Sequence, residues 1–127
     1  MDIEDVRKYC LSKAGTTESL PFDDTTLVFK VVNKMYCLLN IEPPFSINLK
    51  CLPETAIELR EQYEEVLPGY HMNKKHWNTI LLDGNLRKSH ITEWINDSYN
   101  LVIAGLTKKD KSELELKISF IYLLANR

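Results

Sequence analysis

The chain opens with one segment of helical periodicity followed by two of strand periodicity. Residues 2–14 place apolar side chains three and four positions apart and end before Gly15, which predicts a short amphipathic helix. The stretch 16–24 has the composition of a turn region. Residues 25–32 and 34–40 are then dense in β-branched and aromatic residues, which predicts an antiparallel hairpin.

A third strand and a second helix are predicted next. Residues 46–52 alternate, with apolar side chains on one face and Asn48 and Lys50 on the other, as in a strand with one face in water. Pro53 suits the first turn of a helix, because the N–H that proline lacks has no helical partner there. Apolar residues continue at helical spacing as far as residue 66, and a Pro-Gly pair ends the run.

The last predicted elements are a strand and a long helix. Residues 78–82 form a short strand that closes at Asp83-Gly84, a turn dipeptide. A helix is predicted from about Ser89, because four apolar residues recur on one stripe: Ile91, Ile95, Val102 and Leu106. The order α-β-β-β-α-β-α predicts an α+β fold, with a mainly antiparallel sheet covered by helices on one face. We expect the other face to meet water or a partner.

The C-terminal residues fit two periodicities. Residues 113–120 alternate polar with apolar side chains, as an edge strand does, whereas residues 118–125 equally suit a helix. No internal repeat, linker or low-complexity tract divides the chain. We therefore expect one domain, in which residues 1–111 form the recognisable unit and residues 112–127 form a tail whose structure the pattern leaves open.

Composition places the chain among ordinary globular domains. Its 127 residues are 44% hydrophobic and 27% charged, enough to build a core without disulfides or metal ions. Three cysteines, Cys10, Cys37 and Cys51, are an odd number without a C-x-x-C pair, which favours a reducing cytoplasm. The acidic N-terminus does not resemble a signal peptide, and no apolar run approaches the roughly 20 residues that span a bilayer. We expect a cytoplasmic protein without membrane contact.

The charge of the chain is unevenly distributed. The total of −2 gives no general attraction to nucleic acid. Residues 1–65, however, carry a net charge of −5 and residues 66–127 a net charge of +3. Four basic residues flank the predicted strand 78–82: Lys74, Lys75, Arg87 and Lys88. The sequence therefore allows a local basic surface around this strand. Asn48 and Lys50 would continue it across the sheet if they lie on the same face.

The segment from residue 68 to residue 83 is the leading candidate for a functional site. It concentrates hydrogen-bond donors, lysines and aromatic rings within a few positions: Tyr70, His71, Asn73, Lys74, Lys75, His76, Trp77 and Asn78. Lysines neutralise phosphates, aromatic rings stack on bases, and asparagine reaches base edges or backbone, so this mixture suits a nucleic acid. The alternative is structural: the two rings fill the edge of the sheet and the lysines are simply solvated.

Other chemistry finds little support. His71 and His76 are five residues apart and share no helix face, and no cysteine has the spacing of a metal ligand pair. No nucleophile lies in a strand-to-helix elbow, and four separate glycines cannot form a phosphate-binding loop. We therefore expect no catalytic residues, no metal and no cofactor, and we expect that the protein is not an enzyme.

Several motifs together resemble the MmcQ/YjbR-like family. They are Phe29-Lys30-Val31 with Lys34-Met35, the strand Ile47-Asn48-Leu49-Lys50-Cys51, the helix start Pro53-Glu54, the run PGYHMNKKHWNT, Asp83-Gly84, Ser98-Tyr99, Leu106 and Lys108-Lys109. The resemblance covers residues 1–111, and its central run is the most specific part. It implies a small α+β domain of the CyaY-like kind, bacterial and cytoplasmic, described as carrying a double-wing DNA-binding motif. The positions that match the family coincide with the candidate surface from Asn48 to Asn78.

Three functions remain open from the sequence. The first is a non-enzymatic DNA-binding protein that uses the basic and aromatic surface around residues 70–78, with DNA as its partner through phosphate contacts. The second is a small-molecule-binding or accessory protein with a pocket between four side chains: Tyr70, His71, His76 and Trp77. The third is an interaction module in which the tail from residue 112 pairs with a second copy of the chain as a homodimer.

Overall fold

The computed structural model describes residues 1–70 and 72–126 and consists of four helices and six strands. The helices are α1 (Ile3–Leu11), α2 (Pro53–Gln62), α3 (Lys88–Ala104) and α4 (Lys108–Ala125). The strands are β1 (Thr16–Ser19), β2 (Thr26–Val31), β3 (Lys34–Asn40), β4 (Ser46–Lys50), β5 (Val66–Pro68) and β6 (Trp77–Leu81).

All six strands form one antiparallel sheet in the order β1-β2-β3-β4-β6-β5. Val32 and Asn33 connect β2 to β3 with positive φ angles, the geometry of a tight hairpin turn whose twist matches that of the strands. An irregularity between Phe29 and Lys30 shifts the β2–β3 register by one residue. This sheet confirms the predicted α+β class with antiparallel pairing.

The main core lies between the sheet and the helices. Val6 and Cys10 of α1 and Ile91, Ile95 and Val102 of α3 are buried against the strands. All four residues of the predicted stripe are buried: Ile91, Ile95 and Val102 lie in α3, and Leu106 follows its end. Helices therefore cover one face of the sheet, as expected from the alternation in β4.

Side-chain contacts cap the N-terminus of α1 and attach the helix to β1. Asp2 and Asp5 form a capping box, in which each side chain accepts a hydrogen bond from the backbone N–H of the other residue. Further along the helix, Arg7 donates two hydrogen bonds to the carboxylate of Glu18 on β1, with the shorter N–O distance at 2.6 Å. These contacts attach α1 to the edge strand.

The structure corrects the predicted order of elements. It contains two short strands that the pattern did not predict: β1 lies in the segment taken as a turn region, and β5 replaces the end of the second predicted helix. That helix, α2, stops at Gln62 because the backbone of Tyr63 is already extended. The tail is helical rather than a strand, since α4 runs from Lys108 to Ala125 and Thr107 caps it through a hydrogen bond from the N–H of Asp110.

The helix α4 has a single buried anchor. Leu114 packs into the main core, whereas the apolar side chains beyond it are exposed: Leu116, Ile118, Phe120, Ile121, Tyr122, Leu123 and Leu124. Among the helices in the described part of the chain, α4 included, none has the length and apolar character needed to cross a membrane.

Candidate nucleic-acid interface

No helix that the structure describes covers the face of the sheet opposite the main core, and a row of paired residues crosses this face from β1 to β5. We call it the open face and define it by this row, in which each residue pairs with the next: Ser19, Val28, Leu38, Asn48, Thr79 and Leu67. Val28, Leu38 and Trp77 form a small apolar cluster of their own there, with Met35 and Met72 packed against it. The open face is thus partly apolar and partly polar.

A broad groove of about 940 Å³ lies on the open face. Phe22, in the loop after β1, borders it on one side, and Tyr70, in the loop after β5, borders it on the other. Both rings are largely exposed, at 65% and 70%. Polar side chains, among them Asn48 and Thr79, line the groove between apolar ones, so it offers both stacking surfaces and hydrogen-bonding groups.

A hydrogen-bonded network holds Tyr70 at the groove. Thr79 Oγ1 donates to Asn48 Oδ1 at 2.5 Å and accepts the backbone N–H of Tyr70 at 2.9 Å. Asn48 Nδ2 in turn donates to the carbonyl of Tyr70 at 3.3 Å. The side chain of Asn48, predicted as a binding group, therefore fixes the loop that carries Tyr70.

The loop that carries the two lysines folds around Asn73. Asn73 Oδ1 accepts the N–H of Lys75 at 2.9 Å, and its carbonyl accepts the N–H groups of His76 and Trp77 at 3.1 and 2.9 Å. Arg60 of α2 donates to the carbonyl of Lys74 at 3.4 Å. The backbone is thus held from several sides, while the side chains of Lys74 and Lys75 are exposed.

Gly69 lets the start of this loop approach β6 closely. Its N–H donates to the carbonyl of Trp77 at 2.9 Å, and a Cβ at this position would lie 2.8 Å from both the Cβ and the carbonyl oxygen of Trp77. Such distances leave no space for a larger residue. The Pro-Gly pair read from the sequence as a helix end is therefore a close approach between β5 and β6.

Four lysines lie at one end of the sheet, two on the open face and two in the loop before β6. Lys30 is paired with Met35 and Lys50 with Trp77, so both side chains share the face of the small apolar cluster. Lys74 and Lys75 precede Trp77 at the same end of β6. We call these four residues, Lys30, Lys50, Lys74 and Lys75, the lysine end.

The end of the groove that lies away from the lysine end is acidic. Asp23 lines it there, and its carboxylate accepts the N–H groups of Thr25 at 3.0 Å and Thr26 at 2.7 Å. The hydrogen bond from Thr25 is the main cause that lowers the pKa of Asp23 below its ordinary value. Asp23 therefore stays ionised in the neutral range, and the open face is positive at one end and negative at the other.

The structure brings together only part of the predicted site. Tyr70, Asn73, Lys74 and Lys75 lie in one loop beside Asn48 and Lys50, as expected, and His76 follows them half-buried. Trp77 is only 9% exposed and fills the apolar cluster, which fits the structural alternative. The predicted residue His71 lies outside the described residues.

Three further residues of the predicted binding surface lie away from it in the structure. Asn78 was expected on the surface, and this is wrong: it is 1% exposed, because its position next to Trp77 in β6 directs it to the helix side. Arg87 and Lys88 lie at the start of α3, beyond the far end of β6 and in the helix layer. They do not continue the lysine end.

The predicted small-molecule pocket is also displaced. Tyr70 lines the groove on the open face, but His76 and Trp77 are not among the residues that line it.

Two residues of the candidate site, Lys30 and Phe22, were not predicted from the sequence. Lys30 had a usable signal, because it lies two positions after Val28 in a predicted strand and therefore shares its face, whereas an exposed aromatic residue in a loop gives none. Within residues 1–70 and 72–126, no three histidine, cysteine, aspartate or glutamate side chains are grouped so that they could hold a metal ion.

Comparisons with known proteins agree on one family. A family model described as YjbR matches residues 11–101, which end within α3. The chain is 32% identical over 119 residues to YjbR of Escherichia coli K12, covering 93% of this chain and all of that protein. It is 38% identical over 97 residues to YbdF of Escherichia coli O157:H7, covering 74% of this chain and 78% of the relative.

Solved structures show the same fold. A crystal structure of the Deinococcus radiodurans protein DR2400, described as a DUF419 domain, superposes with a TM-score of 0.83 at 41% identity, covering 89% of this chain and 87% of the other. A Pseudomonas syringae protein superposes with a TM-score of 0.71 at 31% identity, covering 80% of this chain and 98% of the other.

Proposed function

The chain belongs to the YjbR family, and we propose that it is a non-enzymatic protein that binds DNA through the open face of its sheet. The observation that carries this proposal is the lysine end, where Lys30, Lys50, Lys74 and Lys75 lie at one end of the sheet. The groove that the exposed Tyr70 borders lies beside it and is lined by Met35, the partner of Lys30, and by Asn48. Phosphate contacts would supply most of the affinity, as they generally do in DNA binding.

The geometry of the lysine end suits a phosphate backbone. Lys30 and Lys50 lie on strands two steps apart in the sheet, which separates their Cα atoms by about 10 Å. Lys74 and Lys75 extend the positive surface along the loop before β6. A strand of nucleic acid that crosses this end would meet several ammonium groups in succession.

The lysine end and the acidic end of the groove give the bound strand a preferred position. A phosphate is attracted to the lysine end and repelled by the Asp23 carboxylate at the other end. Between them, the exposed ring of Tyr70 is placed to stack on a base. We infer that the backbone lies over the lysines and that a base reaches toward Tyr70.

The groups in the groove support binding rather than catalysis. Its polar side chains are mainly amides and hydroxyls, and the carboxylate of Asp23 is already engaged by Thr25 and Thr26. General acid–base or nucleophilic chemistry needs a reactive group oriented by a second one. We therefore include the absence of enzymatic activity in the proposal, together with a cytoplasmic location, which three free cysteines favour.

The proposal is tested by fluorescence anisotropy with single-stranded and duplex DNA of random sequence at low salt. We expect association with at least one of them, with log affinity falling by about 0.9 per phosphate contact as log salt rises. The double variant Lys74→Ala/Lys75→Ala should bind more weakly, with a salt slope lower by about 1–2 units. Its fold should survive, because Lys74 and Lys75 contribute backbone groups to the contacts of this loop.

A matched control uses another exposed lysine pair. Lys108 and Lys109 begin α4, outside the open face, so Lys108→Ala/Lys109→Ala should bind DNA like the unmodified chain. The proposal is rejected if neither DNA associates at low salt. Equal losses in the two double variants would also reject it, since binding would then depend on total charge alone.

A further inference from the structure

A second cavity, of about 320 Å³, lies on the helix side of the sheet between α2, α3, β4 and β6. Its walls are mainly apolar and include Leu49, Leu52, Leu59, Ile80, Trp94 and Leu101. The volume is at the lower end of the range of about 300–1,000 Å³ that small-molecule pockets occupy. Because the sheet separates it from the open face, this cavity is independent of the DNA site proposed above.

A buried acceptor without a partner lines this cavity. Asn78 is 1% exposed, and its Nδ2 donates to the carbonyl of Ala56 at 3.2 Å. Its Oδ1 accepts no hydrogen bond from the rest of the described chain. A buried acceptor left unpaired is destabilising, so groups of this kind call for a donor from outside the chain.

Two nearby cationic side chains, Arg60 and Lys50, are engaged or directed elsewhere. Arg60 donates to the carbonyls of Ala56 and Lys74. Lys50 contributes to the lining, but its pairing with Trp77 directs its side chain to the open face. The Cys51 sulfur lies 3.8 Å from Asn78 Nδ2, on the donor side of the amide, and burial raises the pKa of this thiol. The cavity thus has an acceptor to satisfy and an uncharged thiol beside it.

The rim of the cavity is acidic. Asp97 of α3 lines it and is exposed at its outer side. Desolvation, followed by the neighbouring charge of Glu93, raises the pKa of Asp97 above its ordinary value. A nearby cation would stabilise the charged form of a carboxylate in this situation. Asn100, which also lines the cavity, adds an amide. The polar groups of the cavity therefore favour a ligand that donates hydrogen bonds and carries positive charge.

We propose that this cavity binds a small organic amine. Its apolar body packs between Trp94 and Ile80, its N–H group donates to Asn78 Oδ1, and its positive charge is attracted by the carboxylate of Asp97. The apolar walls supply affinity through burial, and the acceptor and the carboxylate supply specificity for an amine over an acid.

Three probes that share one body and differ in one group test the proposal. Phenethylamine carries an ammonium group, propylbenzene a methyl group in its place, and 3-phenylpropanoate a carboxylate. The chain has two tryptophans, and Trp94 lines this cavity while Trp77 packs on the open face. In a proton–nitrogen correlation spectrum, saturable shifts of the Trp94 indole signal with an unmoved Trp77 signal therefore report binding at this cavity.

We expect phenethylamine to bind most tightly, propylbenzene less tightly and 3-phenylpropanoate least. In Asn78→Leu the affinity for phenethylamine should fall about tenfold, while that for propylbenzene is kept. This variant should fold, because Arg60 Nε still donates to the carbonyl of Ala56 at 3.2 Å. Asp97→Asn should reduce the preference for the amine over the acid, and Asp83→Asn, in the exposed turn after β6, should leave it unchanged.

Several results would overturn the amine site. One is the absence of a saturable Trp94 shift with phenethylamine, and another is equal affinity for the acid and the amine. A third is an unchanged amine affinity in Asn78→Leu, which would mean that the amine does not bind Asn78 Oδ1 in the unmodified chain. Should Asn78→Leu fail to fold, the order of the three probes and the effect of Asp97→Asn still decide the question.

Discussion

The side-chain oxygen of Ser98 lies 2.9 Å from the backbone nitrogen of Lys50 and accepts its N–H. Ser98 also donates to the carbonyl of Tyr36 at 2.5 Å, and its side chain is fully buried. A single hydroxyl of α3 thus joins the adjacent strands β3 and β4 at the point where Lys50 enters the lysine end. The position of this lysine on the open face depends on a contact from the opposite face.

We expect Ser98→Ala to lower the free energy of unfolding by about 1–3 kcal/mol, because it leaves a buried N–H and a buried carbonyl without this partner. Urea denaturation measures the change. The matched control is Ser89→Ala in the first turn of α3, where the side chain is exposed and little effect is expected. Equal stability of Ser98→Ala and the unmodified chain would contradict the bridging role.

Gly15 occupies a left-handed backbone position that favours glycine. Its φ angle is +70°, and a Cβ there would lie 2.5 Å from the Cδ1 atom of Leu114. We expect Gly15→Ala to destabilise the fold by about 1–3 kcal/mol. Gly105, at the end of α3, is the matched control: its nearest atoms would be 3.7 Å from a new Cβ, so Gly105→Ala should be neutral or slightly stabilising. Thermal unfolding of both variants tests this contrast.

The hydroxyl of Thr79 is expected to order the loop of Tyr70. Thr79→Val removes the acceptor of the Tyr70 N–H and the donor to Asn48 Oδ1, while nearly keeping the side-chain volume. A hydrogen bond of about 1 kcal/mol predicts roughly fivefold faster amide exchange at Tyr70. Thr17→Val, on the exposed edge strand β1, serves as the control. Unchanged exchange at Tyr70 would show that other contacts hold the loop.

Stability should depend on the protonation of Asp97. Because its pKa is raised in the folded state, mainly by desolvation, protonated Asp97 favours folding. Its contribution is complete below the ordinary value of 3.8 and is lost as the pH rises through the raised pKa. Asp97→Asn should therefore flatten the pH dependence of unfolding just above pH 3.8, and Glu93→Gln should flatten it less. Parallel pH profiles for Asp97→Asn and the unmodified chain would contradict this assignment.

Residues with clear periodicity were predicted well. Asn48 and Lys50 alternate with Ile47 and Leu49 in β4, so the faces of that strand could be assigned from the sequence. Asn78 could not, because four of the five residues of β6 are buried and the two faces carry no distinguishable pattern. The short strands β1 and β5 were missed for a related reason, since four and three residues hold too few alternations to stand out.

The candidate site depended on information that periodicity does not contain. The segment with Tyr70, Lys74 and Lys75 was found from its composition, but its grouping with Lys30 is fixed by pairing across β2, β3, β4 and β6. Such pairing joins residues more than forty positions apart in the chain, as the numbers of Lys30 and Lys74 show. Only the register of the assembled sheet reveals that Lys30 and Lys50 share one face and that Lys74 and Lys75 lie at the same end of the sheet.

Leu114 is expected to be the residue that attaches α4 to the domain. It is 6% exposed and packs into the main core, whereas Phe120 is 63% exposed. We expect Leu114→Ala to lower the free energy of unfolding by about 2–3 kcal/mol. Measured on the monomer, at high dilution, Phe120→Gln should change it by less than about 0.5 kcal/mol. A large cost for Phe120→Gln would show that the end of α4 packs on the domain in solution.

The homodimer that we expect through the tail should be lost when the chain is shortened. A chain that ends at Lys117 keeps Leu114 in place but lacks the exposed apolar residues from Ile118 to Leu124. Exposed apolar groups of this extent associate in water because burial removes them from solvent. Sedimentation equilibrium should therefore show a dimer for the full chain and a monomer for the shortened one, with similar unfolding midpoints. A monomer in both cases would remove the homodimer and leave α4 as a helix attached through Leu114 alone.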